Sequence, residues 1–161
     1  MIRIARLEDL SQIVAIYNQT IPLGYVTADT EMQTLESRIE WFHSFNKTRP
    51  LWVYEVNKSI VAWCSIKSFY GRPAYSITVE IGIYIDENLR NSGIGSALLL
   101  HAVHEAKALN IQTILAFIFA HNSNSIYFFK KYGFVEYGLL PSVAIINNEK
   151  IDLAILGYKI K

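Results

Sequence analysis

Cysteine is almost missing from this chain. Cys64 stands alone among 161 residues, which excludes an intramolecular disulfide and a cysteine-rich zinc site and suits a reducing compartment. Excess charge of one sign is missing too. Fifteen Lys and Arg against fourteen Asp and Glu leave a net +1, with no extended basic run, so the electrostatic footprint of a nucleic-acid binder is absent. No stretch reaches the ~18 apolar residues of a membrane span, and Arg3, Arg6, Glu8 and Asp9 interrupt any secretory core; a cytoplasmic protein without membrane or nucleic-acid partners is expected. Repeats, linkers and low-complexity tracts are lacking as well. The length and the 52% hydrophobic, 18% charged composition fit one domain over residues 1–161, a sheet covered by helices.

What is present reads as alternating strands and helices. Ile2-Arg3-Ile4 alternates like a short strand, and Leu7 to Ile21 places Leu10, Ile13, Val14, Tyr17 and Ile21 at helical spacing. Thr34 is an N-cap candidate for a helix carrying Leu35, Ile39, Phe42 and Phe45, which Arg49-Pro50 should end. Leu51 to Val56 and Ile60 to Phe69 flank Asn57-Lys58-Ser59 as a hairpin. A long strand follows over Tyr75 to Ile85, then a glycine turn, a helix over Gly93 to Leu109 and a strand over Gln112 to Phe119. Ser123 to Tyr132 is a shorter helix stopped by Gly133. Strands over Phe134 to Gly138 and Ile151 to Tyr158 close the chain.

The turn Arg90-Asn91-Ser92-Gly93-Ile94-Gly95-Ser96 carries the first chemistry. A helix start leaves several backbone N–H groups unpaired and its dipole favours negative charge, so two glycines before a helix suit a phosphate-bearing ligand. Taken alone it is equally a tight turn. Leu98 occupies the third-glycine position of a dinucleotide fingerprint, and no Gly-Lys-Ser/Thr is present for nucleotide hydrolysis.

Arg90-Asn91-Ser92-Gly93-Ile94-Gly95 resembles the Arg/Gln-x-x-Gly-x-Gly/Ala signature of the GNAT N-acetyltransferase superfamily. Asn122-Ser123-Asn124-Ser125-Ile126 and Lys131-Tyr132-Gly133-Phe134 resemble its later helix and Gly-Phe ending. Within it, Ile16-Tyr17-Asn18, Arg72-Pro73-Ala74-Tyr75, Thr78-Val79-Glu80 and Ile94 to Leu99 are most similar to phosphinothricin and methionine sulfone type acetyltransferases. The resemblance covers nearly the whole chain. It implies an α+β, three-layer fold: a mixed, mostly antiparallel sheet of six to seven strands flanked by about four helices. It also implies acetyl-coenzyme A as co-substrate, a small-molecule amine as acceptor, and a homodimer through the C-terminal strand and the loop around Pro141. The turn then becomes the diphosphate cradle, Asn122 and Ser125 contacts near the pantetheine, and Ile83, Tyr84 and Ile85 main-chain contacts freed by a bulge in their strand.

An amine attacks a thioester only when neutral, so the site needs a proton acceptor. Alternation from Thr78 puts Glu80, Gly82 and Tyr84 on one face and Val79, Ile81, Ile83 and Ile85 on the other, which leaves Glu80 a lone charge in an apolar strand. It is the candidate base, working through a water; its bland alternative is a structural carboxylate. Asn122 reads equally as a helix N-cap. Tyr17, Asn18, Tyr25, Trp41, Tyr70, Arg72 and Tyr75 fall in segments expected around the acceptor, with Asn18, Arg72 and Tyr75 as its binding residues and Arg72 as a carboxylate clamp. His101 and His104 lack a third ligand at useful spacing, so no metal is expected.

Five positions depart from the subgroup pattern. Tyr70 replaces an arginine, Ile77 and Ile81 each replace a histidine, Phe129 replaces a histidine and stands where other members place a proton-donating tyrosine, and Ile146 replaces a lysine. The herbicide-type substrate is therefore not carried over. A non-catalytic acyl-coenzyme A module and a protein or peptide N-acetyltransferase remain alternatives.

Overall fold

Hydrophobic side chains on both faces of one sheet set the architecture. In the computed structural model, strands β1 (Ile2–Ile4), β2 (Leu51–Val56), β3 (Ser59–Ser68), β4 (Thr78–Ile85), β5 (Thr113–Phe119), β6 (Val135–Ile146) and β7 (Glu149–Lys159) form a single sheet. Their spatial order is β1-β2-β3-β4-β5-β7-β6. Helices α1 (Leu10–Asn18), α2 (Leu35–His43), α3 (Ile94–Ala108) and α4 (Ser123–Lys131) cover it. Every neighbouring pair is antiparallel except β4 and β5, and that parallel pair needs the crossover that α3 supplies. The expected three-layer α+β fold is found.

Alternation along the strands builds two cores. Ala62, Cys64 and Ile66 of β3 and Val79 and Ile81 of β4 pack with Leu98, Leu99, Ala102 and Ala106 of α3. Trp63 of β3 joins Leu51 and Val53 of β2 and Ile13, Ile16 and Tyr17 of α1 on the opposite face. Cys64 is fully buried, which pushes its thiol well above the usual range and leaves it inert packing. No helix is long and apolar enough to cross a membrane.

Several boundaries differ from the sequence expectations. The helix expected over Leu7 to Ile21 is divided: a 3-10 turn precedes α1, and a second one covers Ile21–Leu23, as Pro22 cannot continue an α-helix. Thr34 caps α2 through its side chain to Ser37 N, but α2 stops at His43 and a tight Asn46 to Arg49 turn leads to Pro50. Pro73–Tyr75 forms a 3-10 turn, so β4 begins at Thr78. The register between β3 and β4 runs unbroken from Ala62↔Ile85 to Ser68↔Val79, so the expected bulge in β4 is absent from that ladder. β6 continues past Gly138 to Ile146 through two register shifts, one spanning Pro141. It lies at the sheet edge, where a missing N–H is tolerated.

Candidate active site

The parallel ladder is the weak seam of the sheet. β4 pairs with β5 only through Thr78↔Thr113, Val79↔Ile114 and Glu80↔Leu115. From Ile81 to Ile85 the β4 edge facing β5 has no partner strand, and a cleft of about 250 Å³ occupies the gap. Its lining mixes Glu80, Gly82 and Tyr84 from one face of β4 with Ile81 and Ile83 from the other. Such mixing requires a sheet that has opened. Glu80 is the last paired residue, at the apex of the opening. Gly82 adds no side chain between Glu80 and Tyr84, and a Cβ there would come 3.3 Å from Ser65 Oγ.

Four charged residues line the cleft: Asp29, Arg38, Lys67 and Glu80. Asp29 and Arg38 pair at 3.0 Å, whereas neither Lys67 nor Glu80 belongs to any ion pair of the chain. The α1 and α2 wall is aromatic and tied down. Tyr17 hydroxyl bonds Thr27 Oγ1 and Asp29 Oδ2, and the Arg38 guanidinium lies 4.6 Å from the Tyr17 ring centroid and 5.1 Å from that of Trp41. Trp63 stacks on Tyr84 at 4.3 Å and donates through Nε1 to Ile13 O. Burial pushes the Tyr84 phenol far above its ordinary range, and nearby Tyr17 and Glu80 push it the same way. Tyr17 is also raised, first by burial and then by its bond to Asp29.

Beyond the free edge, the chain turns into α3. Asp86 accepts from Asn88 N and from Gln19 Nε2, and Glu87 N donates to Gln19 Oε1, which fastens the turn to the end of α1. These bonds, that of Gln19 first, hold the Asp86 carboxyl below its usual range. Gly93 sits at φ 86°, in the left-handed region, and a Cβ there would meet nothing within 4 Å. The first helical backbone bond runs from Ala97 N to Gly93 O. The N–H groups before it therefore have no helical acceptor, no side chain caps the start, and no acidic residue occupies the first turn. An open glycine beside unpaired donors fits the diphosphate of acetyl-coenzyme A. Gly95 is different: it is buried, and a Cβ would lie 2.9 Å from Ile85 Cδ1. A side chain there would press on the end of Ile85, whereas the Gly95 N–H belongs to the unpaired donors of the helix start.

A family model described as the acetyltransferase (GNAT) family matches residues 8–134. The chain belongs to the GNAT acetyltransferase family. A Bacillus subtilis protein provisionally named a phosphinothricin acetyltransferase is 48% identical over 160 residues, covering 99% of this chain and 98% of its own. An Escherichia coli L-amino acid N-acyltransferase is 27% identical, with 99% and 93% covered. The crystal structure of a Sinorhizobium meliloti GNAT phosphinothricin acetyltransferase in complex with acetyl-coenzyme A superposes with a TM-score of 0.93 at 25% identity, with 99% and 88% covered.

In this GNAT acetyltransferase, Glu80, Ile83, Tyr84, Asn122 and Ser125 come together in the cleft. Asn122 Oδ1 accepts from Ser125 N as the α4 cap, while the residue also lines the cleft. Cap and cleft residue are thus one side chain. Ile85 and Arg90 to Ser96 lie further along β4 and its turn, outside the cleft lining.

The three acceptor candidates do not line the cleft. Asn18 is engaged at both ends of its amide, donating to Gln33 O and accepting from Gln33 N, each at 2.9 Å; it staples the loop after α1. Arg72 is exposed and unpaired. Tyr75 is 44% exposed and packs with Phe69 and Tyr70; that cluster reaches the cleft only through Phe117, which stacks on Phe69. Phe129 lines the cleft, whereas Tyr127 and Tyr132 do not. Asp29, Arg38, Trp63, Ser65 and Lys67 had not been singled out. Trp63, Ser65 and Lys67 alternate on the Glu80 face of β3, so the hairpin register was a usable signal for them. Asp29 and Arg38 carried none, because a loop and an exposed helix meet only in three dimensions. Trp52 packs edge-on against His101, and no group of three metal-ligating side chains gathers anywhere in the chain.

Proposed function

We propose that this acetyltransferase moves the acetyl group of acetyl-coenzyme A onto the amine of a small, amino-acid-like acceptor by direct attack, both substrates being bound together. The reading is carried by Glu80: a carboxylate without an ion-pair partner, at the apex of the one opening in the sheet, on the strand that leads to the uncapped start of α3. The relatives named for amino acid and phosphinothricin acyl transfer support the acceptor class, and the complex with acetyl-coenzyme A supports the donor.

Acetyl-coenzyme A supplies an activated thioester when bound. The unpaired α3 donors at Ile94, Gly95 and Ser96, with Arg90 and the turn, hold its phosphates. The free β4 edge at Ile83 to Ile85 offers main-chain groups to its pantetheine arm and N–H groups to the carbonyl that gains charge. Glu80 takes the proton of the attacking amine through a water. As nitrogen bonds to the acyl carbon, the carbon–sulfur bond breaks and its electron pair leaves on sulfur. A thiol of ordinary pKa needs only solvent to reprotonate, consistent with Phe129 where a tyrosine would stand. The outer strand β6 exposes Val135, Leu139, Val143 and Ile145, an apolar edge that supports the homodimer expectation.

Thiol release from acetyl-coenzyme A over amino acids, sulfones, sulfoximines, polyamines and short peptides tests the reading. Turnover with free amino acids or their analogues is expected. Turnover confined to peptides would overturn the small acceptor, and calorimetric binding of acetyl-coenzyme A without thiol release on any amine would overturn the enzyme.

A further inference from the structure

Lys67 sits directly across the β3–β4 ladder from Glu80. Opposed residues on one sheet face hold their Cβ atoms about 5 Å apart, so an ammonium and a carboxylate share one patch of the cleft lining. Of the four charges there, Asp29 and Arg38 neutralise each other. Lys67 and Glu80 are left as one positive and one negative group, neither in an ion pair nor in a side-chain hydrogen bond. Lys67 is also half-buried, and its ammonium has no ion-pair partner within the chain, so it is available to a ligand anion. If Glu80 receives the acceptor's amine through a water, Lys67 beside it faces a neighbouring group of the same acceptor and favours a negative one. An α-amino acid meets this condition, since its amine and carboxylate share one carbon.

We infer that Lys67 binds the α-carboxylate of the acceptor and sets the preference for amino acids over neutral amines. Arg72, the residue expected for this task, is exposed and outside the cleft. The inference rests on the acetyl-transfer reading and adds a specificity residue to it.

The test compares kcat/KM for an L-amino acid with that for its carboxamide, in wild-type protein and in the Lys67→Met and Arg72→Ala variants. Amine basicity differs between the two acceptors, but identically in every variant, so the change in their ratio isolates the carboxylate contact. Lys67→Met is expected to lower the acid-to-amide ratio about ten- to a hundredfold, the range of a hydrogen bond to a charged group. The loss should fall on the amino acid's KM, and Lys67→Arg should restore part of it. Arg72→Ala should keep the ratio. Calorimetry with acetyl-coenzyme A checks that each variant is folded. An equal loss on acid and amide would overturn the inference, since Lys67 would then serve Glu80 alone. Loss of the preference in Arg72→Ala rather than Lys67→Met would also overturn it. No thiol release from any acceptor in wild type would instead defeat the acetyl-transfer reading itself.

Discussion

Glu80→Gln separates a base from a structural carboxylate. In the folded protein Glu80 makes no ion pair and no side-chain hydrogen bond, so the amide leaves no buried partner orphaned, and stability should change by no more than about 0.5 kcal/mol. The chemistry should change far more. The acceptor's amine is mostly protonated near neutrality, and a positioned base contributes about 10²- to 10⁴-fold, or roughly 3–5 kcal/mol of barrier. The variant should therefore lose at least about a hundredfold in kcat near neutrality while its affinity for acetyl-coenzyme A holds. The pH profile carries the sharper signal. Without a base, turnover depends on amine that is already neutral and climbs with pH until the amine's own pKa is reached, so the gap to wild type narrows in alkali. Stopped-time thiol assays from pH 6.5 to 10 (roughly the window set by amine ionisation) would follow it. A gap that stays constant across this range, or near-full activity at neutrality, would refute the assignment of Glu80 as base.

The two glycines of the α3 turn should respond differently to alanine. At Gly93 a Cβ meets open space but φ is 86°, so Gly93→Ala should cost about 1–2 kcal/mol from the backbone alone. At Gly95 the new Cβ presses the mobile Cδ1 end of Ile85 at 2.9 Å, while helix propensity returns about 1 kcal/mol, leaving little net change; urea titrations showing the reverse order would defeat this account. Asp9 should confer acid-sensitive stability. Burial alone would raise its carboxyl, but the two Arg3 bonds at 2.8 and 2.9 Å and Arg6 N outweigh burial and hold it below the usual range. Its contribution is thus complete above the unfolded pKa of about 3.9 and fades as pH falls from there through the folded value. Asp9→Asn leaves Arg3 its bond to Glu55 at 2.6 Å and should cost about 1–3 kcal/mol at pH 7, lowering Tm by roughly 2–12 °C. The two proteins should converge in stability as pH falls through the folded value, and a difference that did not shrink on acidification would contradict the mechanism.

Local rules were legible where local chemistry decides the outcome. The Asn57-Lys58 and Asn147-Asn148 turns take positive φ at both residues, as two-residue hairpins require and asparagine tolerates. The segment of α3, read as a helix over Gly93 to Leu109, packs Leu98, Leu99, Ala102 and Ala106 against the sheet. Longer-range compensation was not legible. β6 runs through Pro141 because it is an edge strand and because Asp152 on β7 accepts from Ser142 N at 2.7 Å, a bond between residues ten apart in sequence. Asp29 has no periodicity to announce it, and its importance arises only when Tyr17, Thr27 and Arg38 converge on the same loop.

The site itself shows why. Alternation in Thr78 to Ile85 correctly sorts Glu80 from Val79 and Ile81, yet it says nothing of where the strand stops pairing. That boundary, after Glu80↔Leu115, is what turns a strand carboxylate into one facing a cleft. Nothing within the eight residues of β4 marks it, since pairing is a property of two strands far apart in the chain. The same boundary explains the misplaced carboxylate clamp. Arg72 was attractive as a charged residue close to Thr78-Val79-Glu80 in the chain, but the 3-10 turn at Pro73–Tyr75 carries it outward. Lys67, thirteen residues before Glu80 by numbering, is brought beside it by the antiparallel register alone.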